Sequence, residues 1–595
     1  LNALILLLAL LLFSPQLHAA PDLVPQIATL LREQGLEGAV WTTLDAHGAA
    51  GASDAGSSNS SNRPMRVDHR VQVGSVAKTV LAAGLLRLVS QGRLGLDTPV
   101  SALLPGMAFD NQWEASDPVR IRHLLDHSAG LDDARLWQVF SMQPKADTPL
   151  AAAFPPGRGL LRVRHRPGTR FSYSNMGYTL LGMVIERIAG QPYERYLDAA
   201  LLAPLGMHDS SFGFVTQAGD PGLAMGHVEY GVVHPALPSY LRPAGQFTTT
   251  AADMGRFARF LMGDGSIGGA PFIDPQLLRR MGEPHATEAA RAGLQVGYGL
   301  GLRKLDRHGA LAKCHSGNTI GFRAMLCLFP DTQQGFFIAI NTDSETADYG
   351  RLDALLVRAL QPAARLPAAL PSPAFDSRAW EGFYIPAPNR FDSMRFIDTV
   401  ANFLHVSREG NSLRLKPFQS AALELRHVGS GLFRVRDKLL ASHVLLVSAD
   451  GERIVTSGTQ SYKKVPLIYL LSLWASVLAG VLGLAYVIVA GIARISLRRL
   501  SWQDPLAAPI AGVLALLLPL PFFYRQSFIQ LGDLTLASGL LAAVTAALPV
   551  TMCIGLAIAQ GRKAWRSVET AAMLTVLQCC LVLADWRMLP LRLWA

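Results

Sequence analysis

The sequence is short of charge. Only 16% of its 595 residues are Asp, Glu, Lys or Arg, and half are hydrophobic; a soluble protein carries about 25% charged residues. This excludes a disordered or collagen-like chain and argues against a wholly soluble one. Cysteine is scarce too, and five residues exclude a disulfide framework. No Lys/Arg stripe with interleaved aromatics occurs, so the net charge of +10 does not point to nucleic acid.

The charge is missing mainly from one region. Residues 465–595 hold nine Lys/Arg and four Asp/Glu, with charge-free stretches at 465–493, 505–524, 534–561 and 570–584. A helix crossing a bilayer needs roughly 20 apolar residues. Arg494, Arg498 and Arg499 follow the first stretch, and Arg562, Lys563 and Arg566 follow the third; the loop between the second and third carries only Arg525. The positive-inside rule puts the two basic loops in the cytoplasm and the long segment before residue 465 outside. No charge interrupts a span, so a lipid-bilayer anchor is expected rather than a transport path. The N-terminus has an apolar run at 3–13 and small residues at 19–20. It reads as a secretory signal peptide, 1–20, without the usual basic start. Both signals place residues 21–464 outside the cytoplasm.

The exported part divides by pattern. Residues 38–44 read as a strand, 48–64 as a Gly/Ala/Ser-rich surface loop, 75–90 and 178–188 as helices, and 324–329 and 336–340 as strands. Strands at both ends with helices between them predict one α/β layered domain over 21–360, its sheet joining the segment's ends. The Pro/Ala-rich stretch 361–374 reads as a linker. Short alternating runs at 404–406, 412–415, 432–435 and 443–447 predict a small antiparallel β domain over 375–462. Residues 465–595 form the membrane domain.

The chemistry starts at SVAK, residues 75–78. Three residues of helical separation put Ser75 and Lys78 on one face. A serine hydroxyl needs a base to become a nucleophile, and a lysine serves if its pKa is depressed. The pattern alone is weak, because SYKK at 461–464 also matches it. Two further motifs add weight: Tyr173-Ser174-Asn175, the chain's single Y-x-N, and His315-Ser316-Gly317. A second H-x-G, at 427–429, falls in the β domain.

This order of nucleophile, proton carriers and amide resembles the serine β-lactamase and penicillin-binding group. The nearest branch is class C, with its D-aminopeptidase and family VIII esterase relatives. The segments VRIRHLLDHSAGL (119–131), PAGQFTTTAADMGRFARFL (243–261) and GYGLGL (297–302) support the resemblance. It implies an α/β (α+β) domain with an antiparallel sheet flanked by helices. The β domain from Trp380 resembles the lipocalin-like appendage of such proteins. The resemblance implies Ser75 as the acylated nucleophile, with Lys78 and Tyr173 as proton carriers. It implies Asn175 on the substrate amide and steadying Lys78, the N–H groups of Ser75 and Asn318 as oxyanion hole, and His315, Ser316 and Gly317 along the far wall. Asn175 also fits a helix cap, and His315 also fits an ordinary edge-strand histidine.

The group usually has lysine where His315 stands, so a fixed cation for a substrate carboxylate is missing unless Arg323 supplies it. The family pattern reverses the chain at 318–320 and puts Cys314 near Arg323, away from Cys327; an oxidising compartment would still permit a bridge between the cysteines. His123 and His127 have metal-ligand spacing without a third ligand, so they and Asp126 read as structural; neither metal nor cofactor is assigned. The expectation is a membrane-anchored serine hydrolase of the bacterial periplasm. It acts on a small-molecule or peptide substrate through an acyl-serine intermediate, as a peptidase or esterase for D-amino-acid-containing compounds. The alternatives are a β-lactamase and a non-catalytic binder of cell-wall peptides; oligomeric state stays open.

Overall fold

The computed structural model describes residues 23–595 apart from 48–49, 60–62, 363–374, 411 and 565. The expected signal peptide and most of the expected linker lie outside the described residues.

The first layered unit is built on a seven-stranded antiparallel sheet. Its strands are β1 (Gly38–Leu44), β2 (Ala50–Gly56), β3 (Gly297–Tyr298), β4 (Arg303–Arg307), β5 (Ala310–Thr319), β6 (Phe322–Phe329) and β7 (Gln334–Ile340). Their order is β2-β1-β7-β6-β5-β4-β3, so early and late strands meet as the pattern implied. The central strands read as near-continuous apolar runs because both faces are covered. Val40, Leu326, Leu328, Phe337 and Ala339 face a large core shared with α2 (Ala77–Ser90), α3 (Asn175–Ala189) and α4 (Ala251–Met262). Trp41, Cys327, Phe329, Phe336 and Ile338 face the other way, onto Ile27 and Leu31 of α1 (Leu23–Glu33) and Leu352 and Leu356 of α5 (Gly350–Leu360).

Two expectations are corrected. Residues 50–56 are not loop: β2 pairs along the whole of β1. Its small side chains give no strand signal, because an edge strand can be held by its backbone ladder alone. The β5–β6 turn also lies later than expected. Thr319 pairs with Phe322, the reversal falls on Ile320 and Gly321, and Gly321 takes the positive φ of +80° that such two-residue turns favour. This register sets Cys314 opposite Cys327, and the two form a cross-strand disulfide.

Residues 382–465 close into an eight-stranded antiparallel barrel, Ser461–Val465 pairing back onto Gly382–Pro386. Alternate inward residues (Tyr384, Val406, Leu415, Leu425, Phe433 and Val455 among them) fill it. The barrel is pinned to the first unit by polar contacts. Arg164 donates to the side-chain and main-chain oxygens of Asn389 at 3.2 and 3.1 Å. Asp132 accepts from the Asp392 N–H at 2.9 Å, and Arg170 reaches Glu452 at 2.9 Å.

Among the described residues, four helical segments are long and apolar enough to cross a membrane: Leu467–Ser496, Ala507–Arg525, Leu536–Gly561 and Val568–Asp585. The loop between the second and third touches the first unit. Ser141 and the Met142 N–H donate to Asp533 at 2.5 and 3.1 Å, and the Gly532 N–H donates to the Phe140 carbonyl at 2.8 Å. Gly532 passes so close that an added Cβ would lie 2.3 Å from the Trp137 Cα. That loop and the start of the first span therefore lie on the same side of the helices as the layered unit and the barrel.

Peptide mapping of the unreduced chain should recover residues 314 and 327 as one cross-linked pair, with Cys553, Cys579 and Cys580 free. Cys314→Ser should lower the melting temperature by the equivalent of about 2–4 kcal/mol. Recovery of Cys314 and Cys327 as free thiols would contradict this pairing.

Candidate active site

Ser75 lies in a single 3₁₀ turn, Gly74–Val76, that leads into α2. From Ala77 to Leu86 every residue of α2 is buried, Lys78 included, with 0% exposure. The helix runs through the core, so the lysine cannot reach water. Its Nζ bonds to Ser75 Oγ at 2.8 Å and to the Ala244 carbonyl at 2.5 Å. Burial disfavours the ammonium form and pushes Lys78 down to about 7; nearby Asp133 opposes the shift and Arg390 adds to it. In the ammonium form Nζ donates to Ser75. Once neutral, its lone pair can take the hydroxyl proton.

Tyr173 closes the other side of the serine. Its hydroxyl shares a hydrogen bond with Ser75, and desolvation raises it above the ordinary phenol range, so it stays neutral. Lys78 Nζ stands 5.1 Å from the Tyr173 ring centre and 5.7 Å from that of Tyr178. His127 stacks 4.2 Å from Tyr173 and contacts Phe171, Tyr178 and Tyr298. These rings keep the lysine's surroundings apolar.

β5 passes directly against the serine turn. A Cβ on Gly317 would sit 1.8 Å from the Val73 carbonyl, and one on Gly74 2.5 Å from the Asn318 carbonyl. Glycine at both positions permits this approach. Ser75, Tyr173, His315, Ser316, Gly317 and Asn318 thereby line one cavity of about 710 Å³, with Arg390 of the barrel on its wall. His315 is buried; its Nδ1 lies 2.7 Å from the Ser316 carbonyl, which can only accept, so the neutral ring carries its proton there. Burial, then the Lys78 charge, holds His315 at about 3, so it is neutral rather than a pH-dependent cation near neutrality. Arg323 also lines the cavity, but its guanidinium is bound to Asp343 and Glu345 at 2.7 and 2.9 Å.

Asn175 stands elsewhere in the arrangement. Ser174 caps α3 and accepts from the Gly177 N–H at 3.0 Å. Asn175, the first helical residue, donates its backbone and side-chain N–H groups to Asp133 at 2.7 and 2.9 Å. It is not among Lys78's hydrogen-bond partners. His123 accepts from the Arg120 N–H, His127 from the Ser174 N–H, and Asp126 from Ser128. Among the described residues, no three His, Cys, Asp or Glu side chains gather to hold a metal ion. Sequence reasoning missed Asp133, Arg390, the Ala244 carbonyl and the aromatic wall. Asp133 had a faint signal, as one of two consecutive carboxylates just after the 119–131 segment; Arg390 had none.

The family model described as Beta-lactamase matches residues 25–361. Protein Rv1367c of Mycobacterium tuberculosis is 28% identical over 273 residues, covering 40% of this chain and 67% of that protein. Penicillin-binding protein 4 of Amycolatopsis lactamdurans is 33% identical over 205 residues, covering 33% and 52%. Esterase EstB of Burkholderia gladioli is 35% identical over 197 residues, covering 31% and 48%. The chain thus spans about two thirds of the first relative and about half of the other two.

The rate at which a phosphonylating probe modifies Ser75 should climb with pH through a limb at about 7, where Lys78 loses its proton. Lys78→Met should slow it by about 10²–10⁴-fold, the usual span for a lost general base. A Lys78→Met protein as fast as wild type would contradict the assignment.

Proposed function

The chain belongs to the beta-lactamase family, and from that premise we propose that it is a membrane-anchored serine hydrolase working at the outer face of the bacterial inner membrane. The observation that carries the reading is the Ser75–Lys78 contact of 2.8 Å, with the lysine fully buried and Tyr173 on the same hydroxyl. Neutral Lys78 takes the Ser75 proton as Oγ attacks the substrate carbonyl. The N–H groups of Ser75 and Asn318 hold the developing oxyanion. As the carbon–heteroatom bond breaks, Tyr173 passes a proton to the leaving group and Lys78 reprotonates it. Water then attacks the acyl-serine ester and gives up a proton along the same route. The acid departs and Ser75 regains its hydroxyl.

Peptidase or esterase chemistry is favoured over β-lactam hydrolysis. His315 is neutral, and Arg323 is already paired with two carboxylates, so neither offers a free cation to a β-lactam carboxylate. The relative named as an esterase supports an ester substrate, and a D-amino-acid-containing peptide is proposed alongside it. Asn175, tied to Asp133, is assigned to shaping the α3 end of the site, next to the substrate amide. The periplasmic placement is supported by basic loops after the first and third spans and by the Cys314–Cys327 disulfide. The docked 532–533 loop agrees with that topology.

Intact-mass measurement of the detergent-solubilised full chain tests this. A fluorophosphonate should add once to wild type and not to Ser75→Ala, and penicillin turnover should be slow or absent. A folded wild-type chain that takes no adduct, or an equal adduct on Ser75→Ala, would overturn the reading.

A further inference from the structure

A buried carboxylate beside the serine site takes its cation from the barrel. Asp133 has 0% exposure. Oδ1 accepts from the Ala134 N–H and from both Asn175 donors, at 2.7 to 2.9 Å. Oδ2 meets Arg390 Nε at 2.8 Å. Arg390 belongs to the segment that Arg164 and Asp132 clamp through Asn389 and Asp392. Its guanidinium also lies 4.8 Å from the Tyr173 ring centre and borders the Ser75 cavity. The catalytic constellation is therefore closed by a residue 257 positions from Asp133, on a different domain.

We propose that Arg390 is a positioning residue for hydrolysis: by pairing with Asp133 it keeps that carboxylate from stabilising the ammonium form of Lys78, and so makes the barrel part of a working active site. This rests on the serine hydrolase reading above. The groups around Lys78 leave few other candidates for the control. Tyr173 and Tyr178 are neutral phenols raised by desolvation, and His127 and His315 are held neutral by burial. Asp133 and Arg390 are the charged pair, and they act on Lys78 with opposite signs. Loss of the guanidinium removes one cation and uncovers one anion. Both changes favour protonated Lys78, so the base form is reached only at higher pH.

The test is the pH dependence of fluorophosphonate acylation of the full chain, compared among wild type, Arg390→Met, Arg390→Lys and the double variant Asp133→Asn/Arg390→Met. The clamp from Arg164 falls on Asn389 and on main-chain oxygen atoms, so it survives the change at 390; Arg390→Lys controls for packing. Arg390→Met should move the acid limb upward by about one pH unit. Acylation on that limb would then be about tenfold slower, with little change well above it. Arg390→Lys should restore the limb, and the double variant should return it toward wild type. An Arg390→Met limb at the wild-type pH, or an equal shift in the double variant, would overturn the proposal. If wild type itself is not acylated, the hydrolase reading fails and this inference fails with it.

Discussion

The structure depends on one lysine held entirely out of water. An unpaired ammonium in a protein interior carries a penalty of several kcal/mol, and the group escapes it by giving up its proton. Lys78 has two hydrogen-bond partners, the Ser75 hydroxyl and the Ala244 carbonyl. That is too little to hold a charge firmly and enough to aim a lone pair. A core helix that is buried from Ala77 to Leu86, with Lys78 as the one ionisable residue in that stretch, is what disfavours the ammonium form near neutral pH.

Other features serve that constraint. Two glycines, Gly74 and Gly317, let β5 close over the serine turn. The Cys314–Cys327 bridge ties β5 to β6 beside buried His315. The rings of His127, Phe171, Tyr178 and Tyr298 exclude water from the lysine's side of the cavity. The barrel answers the Asp133 charge. The loop between the second and third apolar helices docks on residues 137–142, which follow the same Asp132–Asp133 segment. Apolar helical region, barrel and layered unit therefore converge on one stretch of chain next to the Ser75 site.

Much of this was legible in the sequence, for identifiable reasons. Helical spacing placed Ser75 beside Lys78, and short alternating runs between turn residues marked strands such as 404–406 and 443–447 of the barrel. The apolar run 38–44 is a strand with those bounds. What escaped depended on contacts that composition does not encode. β2 is built from small residues held by backbone pairing. The β5–β6 register turned on whether the reversal falls at 318–320 or on Ile320 and Gly321, and the displaced turn moved Cys314's partner from Arg323 to Cys327. Asn175 was readable as polar and near Tyr173, but its commitment to Asp133 was not. Arg390 reaches the site across a domain boundary that no local pattern crosses.

The most direct measurement is an NMR titration of the folded chain carrying lysine labelled with ¹³C at Cε, with the Lys78 signal assigned by its loss in Lys78→Arg. The account expects that signal to titrate at about 7, well below the free lysine side chain's value of about 10.4. A Lys78 signal that titrates at the free side chain's value would show an ordinary ammonium group beside Ser75 and would contradict the central claim.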